Sequence, residues 1–233
     1  MTQTLLQART EVRVRLREPQ GTARQWQDTE INTWLNEGCR DLARTTECLL
    51  ASTTVAVTAA TQTYTGPTDI IRLHRVQWEP TGQSNKYPLE AREFNTMDSI
   101  WWTSQSITPG HPYYYTTWGY PPAVSIILYP TPNVNGNLRV YYARQPALVS
   151  VDGTQLDIPE GWHDLVCDYA EYRAQRAARD PRWQESYGKY QEARDSLLAT
   201  VAGSGPTWTD APGRIVPQIP VGIPTWLYSQ EGW

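Results

Sequence analysis

The segment AVSIILYPTPNVNGNLRVYYA, residues 123–143, decides how the rest of the chain is interpreted. Residues 123–129 are apolar and partly β-branched, and residues 138–143 alternate with period 2, so both predict strands. Residues 130–136 combine prolines, which fix φ, with Asn135-Gly136, which tolerates a positive φ. The segment therefore predicts two antiparallel strands joined as a hairpin.

Two helices are predicted after this segment, over about residues 159–179 and 181–200. Pro159 suits the first helical position, and Asp180-Pro181 ends one helix and starts the next, with Asp180 as N-cap. Apolar residues recur at helical spacing in both. The first helix has Trp162, Leu165, Val166, Tyr169 and Ala170 on one face, and the second has Trp183, Tyr187, Tyr190, Leu197 and Leu198.

Two further helices are predicted near the N-terminus, over about residues 4–17 and 28–46, with Asp28 capping the second. Their apolar stripes are Leu5, Ala8, Val12 and Leu16, and Ile31, Trp34, Leu35, Gly38, Cys39 and Leu42. Such spacing is typical of helices that pack on a core. We expect a helical hairpin here that packs against the two C-terminal helices.

The first N-terminal helix also carries an arginine stripe of Arg9, Arg13 and Arg17. It has two interpretations. The stripe either contacts a neighbouring subunit or forms an ordinary solvated face with Glu11 and Glu18 as partners.

Residues from about 50 to 145 are β-rich, with Thr- and Val-rich runs, aromatic runs and turn residues between them. The predicted fold class is therefore α+β: a largely antiparallel insert between the N-terminal helical hairpin and the two C-terminal helices. We place one folded domain at residues 1–202 and an extended, Pro-rich C-terminal arm at residues 203–233.

The arm combines frequent proline, which excludes helix and central strand, with large apolar residues that a disordered tail normally lacks. We expect it to lie across a neighbouring subunit or partner, the alternative being that it folds back on its own domain. Its predicted interface residues are Trp208, Ile215, Val216, Ile219, Val221, Ile223, Trp226, Tyr228 and Trp233.

Composition favours assembly over nucleic-acid binding. The net charge is −4, whereas a free-standing nucleic-acid binder needs a basic surface. The chain has 11 Trp and 14 Tyr, residues enriched at protein interfaces but also suited to stacking on sugars. Its 3 Cys form no disulfide framework, and neither a signal peptide nor a membrane-spanning run is expected.

No catalytic, cofactor or metal site is predicted. His163 and Cys167 stand four residues apart on a predicted helix, but two ligands fall short of the three or four of a zinc site. One helix supplying Cys167, His163 and Asp164 is also a poor geometry for a nucleophile with its base. Phosphate-binding glycine motifs are missing from the sequence, so nucleotide binding has no support. Together with the Trp- and Tyr-rich, charge-poor composition and the apolar arm, this favours assembly over catalysis, and we expect no enzyme.

Three strings in order carry a resemblance: LYPTPNVNGNLRVYYARQP from residue 128, LDIPEGWHDLVCDYAEYRA from residue 156 and DPRWQESYGKYQEARDSL from residue 180. In this order they resemble the head-to-tail adaptor, or connector, proteins of tailed bacteriophages. The resemblance spans about residues 5–198. Members of that family pair an N-terminal helical hairpin with a β-rich insert and end in two helices.

The resemblance implies a structural virion protein that forms a ring of twelve copies between the portal and the tail or nozzle protein. Double-stranded DNA would pass through its channel without sequence-specific binding, including during genome ejection. The protein would belong to the virion neck and to the host cytoplasm during assembly, with no membrane partner. The insert, with Trp101, Trp102 and Tyr113 to Tyr115, would supply lateral or tail-side contacts. The alternative is a carbohydrate-binding or other tail or baseplate module.

Overall fold

The computed structural model describes residues 3–18, 25–96, 108–204, 209–211 and 214–215. The described chain is mixed α+β, as predicted. It divides into two compact units: Met1–Cys48 with Pro146–Trp233, called here the helical unit, and Leu49–Gln145, called here the sheet unit. The predicted limits of the folded domain and of the arm stay predictions.

The helical unit is built on four long helices that share one apolar core. They are α1 (Leu5–Arg15), α2 (Asp28–Thr46), α3 (His163–Ala177) and α4 (Trp183–Ser204). The predicted stripe of α2 is buried along its length, and α1, α3 and α4 contribute among others Leu5, Val12, Val166, Ala170 and Tyr190. Residues 19–24 between α1 and α2 lie outside the described residues, so the helical hairpin stays a prediction.

Three predicted helix starts are corrected by the backbone. Gln27, not Asp28, is the N-cap of α2, and its N–H donates to the Glu30 carboxylate at 2.8 Å. Helix α3 begins four residues after Pro159 because Gly161 has a φ of +92°, in the left-handed region that a right-handed helix excludes. Helix α4 begins at Trp183, two residues later than predicted, and Asp180 lies in the turn before it, where its carboxylate accepts from the Arg182 N–H at 3.0 Å.

The loop that precedes α3 is tied to the first two helices. The Asn36 side chain donates to the Val149 carbonyl at 2.9 Å and accepts from the Val149 N–H at 2.8 Å. The N–H groups of Leu5 and Leu6 donate to the carbonyls of Thr154 and Asp152. These bonds satisfy backbone groups that the start of α1 leaves without helical partners.

The sheet unit holds a seven-stranded, nearly closed sheet in the order β1-β7-β3-β4-β5-β6-β2. Its strands are β1 (Leu50–Val57), β2 (Thr63–Thr65), β3 (Ile70–Pro80), β4 (Tyr87–Ala91), β5 (Tyr114–Trp118), β6 (Ser125–Tyr129) and β7 (Gly136–Arg144). All pairs are antiparallel except β4 with β5, which run parallel.

The predicted hairpin of residues 123–143 is wrong, although both of its strands form. Strand β6 pairs with β5 and β2, while β7 pairs with β1 and β3. The six-residue connection, residues 130–135, is longer than the two to five residues of common hairpin loops, and it has partners of its own. The Pro132 carbonyl accepts from Ala60, and the Asn135 side chain accepts from Ala59.

Gly136, the first residue of β7, is required for close packing rather than for a positive φ. A Cβ there would lie 2.5 Å from the Glu79 carbonyl oxygen and 2.5 Å from the Trp78 ring. Trp78 is fully buried in the sheet core together with Leu138 and Val140. Glycine therefore allows β7 to approach the tryptophan of β3.

Two short strands, β8 (Thr209–Ala211) and β9 (Arg214–Ile215), pair antiparallel after α4. Both belong to the segment predicted as an extended arm. Gly203 and Ser204, predicted as the start of the arm, are the last residues of α4. The other arm residues lie outside the described residues, so the extended arm stays a prediction.

Candidate interaction surfaces

Two exposed aromatic side chains lie at the C-terminal end of β5. Trp118 is 57% exposed and Tyr120 is 88% exposed, and the ring of Phe94 lies 4.4 Å from that of Trp118. We call Phe94, Trp118 and Tyr120 the aromatic site. Large aromatic groups in water mark surfaces that become covered on assembly or ligand binding.

Backbone structure fixes this site. Trp118 pairs with Ser125 at the end of the β5–β6 ladder, and the Ala123 N–H donates to the Tyr120 carbonyl at 2.8 Å. Gly119 between the two aromatics has a φ of +93°, and a Cβ there would lie against the Ala123 carbonyl. The tight turn therefore holds Trp118 and Tyr120 on a short, constrained segment.

A second aromatic group lies at the other end of β5. Tyr113 is 60% exposed, and His111 stacks between it and Tyr87 at ring distances of 5.3 and 4.3 Å. The next two residues differ from each other: Tyr114 is half-buried, whereas Tyr115 is buried in the sheet core. Of the predicted contact residues Tyr113 to Tyr115, Tyr113 is the exposed one.

The helical unit has an exposed apolar surface along α1. Leu6 and Val14 lie eight residues apart on one side of the helix, with Val14 70% exposed. Val151, also exposed, precedes Asp152, whose carbonyl accepts from the Leu6 N–H. We call Leu6, Val14 and Val151 the α1 surface. The opposite side of α1 carries the predicted core residues Leu5, Ala8 and Val12.

Arg9, a predicted interface residue, lies in the interior of the helical unit. It is 7% exposed, and its guanidinium donates to Asp152 at 2.9 Å and to Asn32 at 3.3 Å. Asp28 lies 3.5 Å from its Nε. Arg9 therefore ties α1 to α2 and to the loop before α3, while a role at a subunit interface stays a prediction.

Arg13 and Arg17 differ from Arg9 and from each other. Arg13 forms ion pairs with Glu18 and with Asp28, the latter at 2.6 Å, so the predicted partner Glu18 is present. Arg17 is exposed, and it follows the end of α1 with a φ of 54° instead of continuing the helical stripe. An interface role for either residue stays a prediction.

Buried thiols and imidazole make poor catalytic groups here. Burial raises the pKa of Cys39 and of Cys167 to about 12, so both stay protonated at neutral pH. Burial also lowers the pKa of His163, which stands beside Cys167 on α3 as predicted. Across the described ranges no group of three or more His, Cys, Asp and Glu residues is placed to hold a metal.

Several predicted interface residues lie outside what the structure describes. They are Trp101, Trp102, Trp208, Val216, Ile219, Val221, Ile223, Trp226, Tyr228 and Trp233. Ile215 is in β9, where the backbone alone is described. None of the helices within the described part of the chain is long and apolar enough to cross a lipid bilayer.

The helical core, the β-rich insert and the exposed apolar surfaces define a class of protein, an α+β structural subunit suited to assembly. The chain belongs to the SU10 adaptor protein family, a family of phage head-to-tail adaptors, whose model matches residues 3–216. This match confirms the family resemblance found in the sequence. No curated protein matches the chain. Family membership makes it a structural adaptor of a phage.

Proposed function

We propose that this chain forms a closed ring that joins the portal to the tail and continues the DNA channel between them. The observation that carries the proposal is the family match over residues 3–216, because it includes both compact units. The proposed ring has twelve copies, acts in the virion neck, and is assembled in the host cytoplasm. It acts by burial and geometry, without catalysis.

The exposed surfaces support assembly through lateral contacts. The α1 surface places Leu6, Val14 and Val151 in water on a free chain, and a neighbouring subunit would cover them. Burying an aliphatic side chain of this size is worth about 1.5–3 kcal/mol. Repetition around a closed ring adds to this gain because each copy uses the same contact.

The charge of the chain fits DNA passage better than DNA capture. A net charge of −4 provides no excess of cations to hold phosphates, so the duplex would slide through the channel. The proposed partners are the portal protein on one side and the tail or nozzle protein on the other. The C-terminal arm, from residue 203, would insert into the portal or into an adjacent subunit.

The first test is the mass of the purified full chain, alone and with portal-containing particles. We expect a stoichiometric ring on the particles. A chain that ignores the particles and binds polysaccharide through its exposed Trp118 and Tyr120 would instead support a carbohydrate-binding module. Truncation after Ala202 tests the arm, and unchanged portal binding and particle completion would contradict its proposed role.

A charge placed on the α1 surface tests the lateral contact. We expect Val14→Glu to abolish ring formation on particles because it buries a carboxylate without a partner. Gln184→Glu adds the same charge at an exposed position of α4 and serves as the control. Rings formed equally by both variants would show that the α1 surface is not a subunit interface.

A further inference from the structure

The aromatic site is apolar and uncharged. Residues 116–123, TTWGYPPA, contain no charged side chain, and Trp118 and Tyr120 present their rings to water. Such a surface favours an uncharged apolar ligand over DNA or an acidic peptide, because phosphate and carboxylate find no cation among residues 116–123. The site is fixed by the Gly119 turn, so little ordering is needed to bind.

One segment of the same chain has the matching chemistry. Residues 215–224, IVPQIPVGIP, are also free of charge and contain Pro217, Pro220 and Pro224 between Ile and Val residues. The Pro217-x-x-Pro220 spacing favours a polyproline II helix, which binds aromatic-lined grooves at a low entropic cost. Ile215 is the last described residue, and 18 residues follow it in the chain.

We propose that the aromatic site binds residues 215–224 of a neighbouring copy of this chain. The inference rests on the proposed ring. Each copy carries one site and one segment, so the contact is heterologous, and a closed ring fills every site with the segment of the next copy. Each pair of neighbouring subunits would then be joined by two contacts, the α1 surface and the aromatic site. Two contacts between the same subunits increase avidity.

The binding step is tested with a fluorescent peptide of residues 214–225. The protein is the full chain in which Pro217, Pro220 and Pro224 are replaced by Ala, so that its own segment does not compete. We expect saturable binding in fluorescence anisotropy, and no binding of a peptide with the same three prolines replaced. Absence of saturable binding of the natural peptide would overturn the proposal.

Variants of the site locate the peptide. We expect Trp118→Ala and, independently, Tyr120→Ala to raise the peptide Kd at least about tenfold, as truncation of an aromatic anchor does. The control is Tyr113→Ala, since Tyr113 is equally exposed but lies at the other end of β5. Tyr120 is 88% exposed, so its truncation leaves the fold intact even where Trp118→Ala does not. Equal effects of Tyr113→Ala would overturn the assignment.

The assembled ring separates this inference from the proposed function. In full-length chains bearing either Tyr120→Cys or Ile219→Cys, we expect disulfide-linked pairs when the two variants are mixed and assembled on portal particles. The matched control is Tyr113→Cys mixed with Ile219→Cys, which should form few disulfide-linked pairs. Rings that assemble without the first cross-link would overturn the inference and leave the proposed function in place. A chain that binds the peptide but never assembles would overturn the proposed function.

Discussion

The replacement Gly136→Ala tests how the sheet unit is packed. Its Cβ would lie 2.5 Å from the Glu79 carbonyl oxygen and from Cη2 of Trp78, whereas ordinary contacts begin at 3.4 Å. Both obstacles therefore have to retreat by roughly 0.9 Å, and one of them is backbone in a paired strand. Because Gly136 pairs with Val57 and Pro80 on either side, a displaced β7 disturbs two ladders.

The expected cost is at least about 3 kcal/mol, at the upper end of the range for overpacked sites, because Trp78 is fully buried. That amounts to a large fraction of the ~5–15 kcal/mol that stabilises a typical domain. The assay is native-state hydrogen exchange of peptides that cover β3 and β7, which reports the opening free energy of the sheet unit separately from that of the helical unit.

Gly110→Ala is the matched control within the same unit. A Cβ at Gly110 would lie 3.5 Å from the Pro130 ring, an ordinary contact, so we expect a change below about 0.5 kcal/mol. If Gly136→Ala left the protection of β3 and β7 within that same margin, the close approach of the two strands would not be what requires glycine. A double variant with Trp78→Leu should show favourable coupling, because the smaller side chain removes one of the two clashes.

Three further outcomes are expected. With a thiol reagent at pH 8, Cys48 should be alkylated first, since burial raises the pKa of Cys39 and Cys167 to about 12; mass spectrometry checks the order. The helical unit should lose stability as the pH falls below about 6.5, because the pKa of His163 is lowered in the folded state and the unfolded state then binds more protons. In hydrogen exchange, His163→Gln should lack this dependence of the opening free energy on pH. Tyr190→Phe should lower the free energy of unfolding by about 1–2 kcal/mol, because the Tyr190 hydroxyl no longer donates to the Asp41 carboxylate of α2. Urea unfolding measures this change, and an unchanged midpoint would contradict it.

The elements could be predicted from the sequence because they depend on local periodicity. All six predicted stripe residues of α2 are buried, and β6 and β7 form where the pattern of residues 123–143 predicts strands. Strand pairing could not be predicted in the same way. The partners of β7 are β1 and β3, separated from it by many residues, and the alternation of residues 138–143 is the same whichever strands lie beside it.

Only part of the candidate surfaces could be predicted from the sequence. The sequence places Arg9 in an arginine stripe that either contacts a subunit or faces solvent. In the structure Arg9 is buried, and its partner Asp152 lies 143 residues away in the chain. Trp118 and Tyr120 were not singled out. The signal that could have found them is the Gly119 turn between two aromatics, since turns run over the surface.

The two exposed surfaces lie in different compact units, and this separates their roles experimentally. The α1 surface belongs to the helical unit and the aromatic site to the sheet unit. A carboxylate at Val14 should therefore leave peptide binding at Trp118 unchanged, because effects at sites without shared partners add independently. Conversely, Tyr120→Ala should slow or weaken ring closure without preventing the lateral contact of α1. If Val14→Glu and Tyr120→Ala each impaired both peptide binding and ring formation to the same extent, the two surfaces would belong to one interface. The proposal of a separate second contact in the ring would then be wrong.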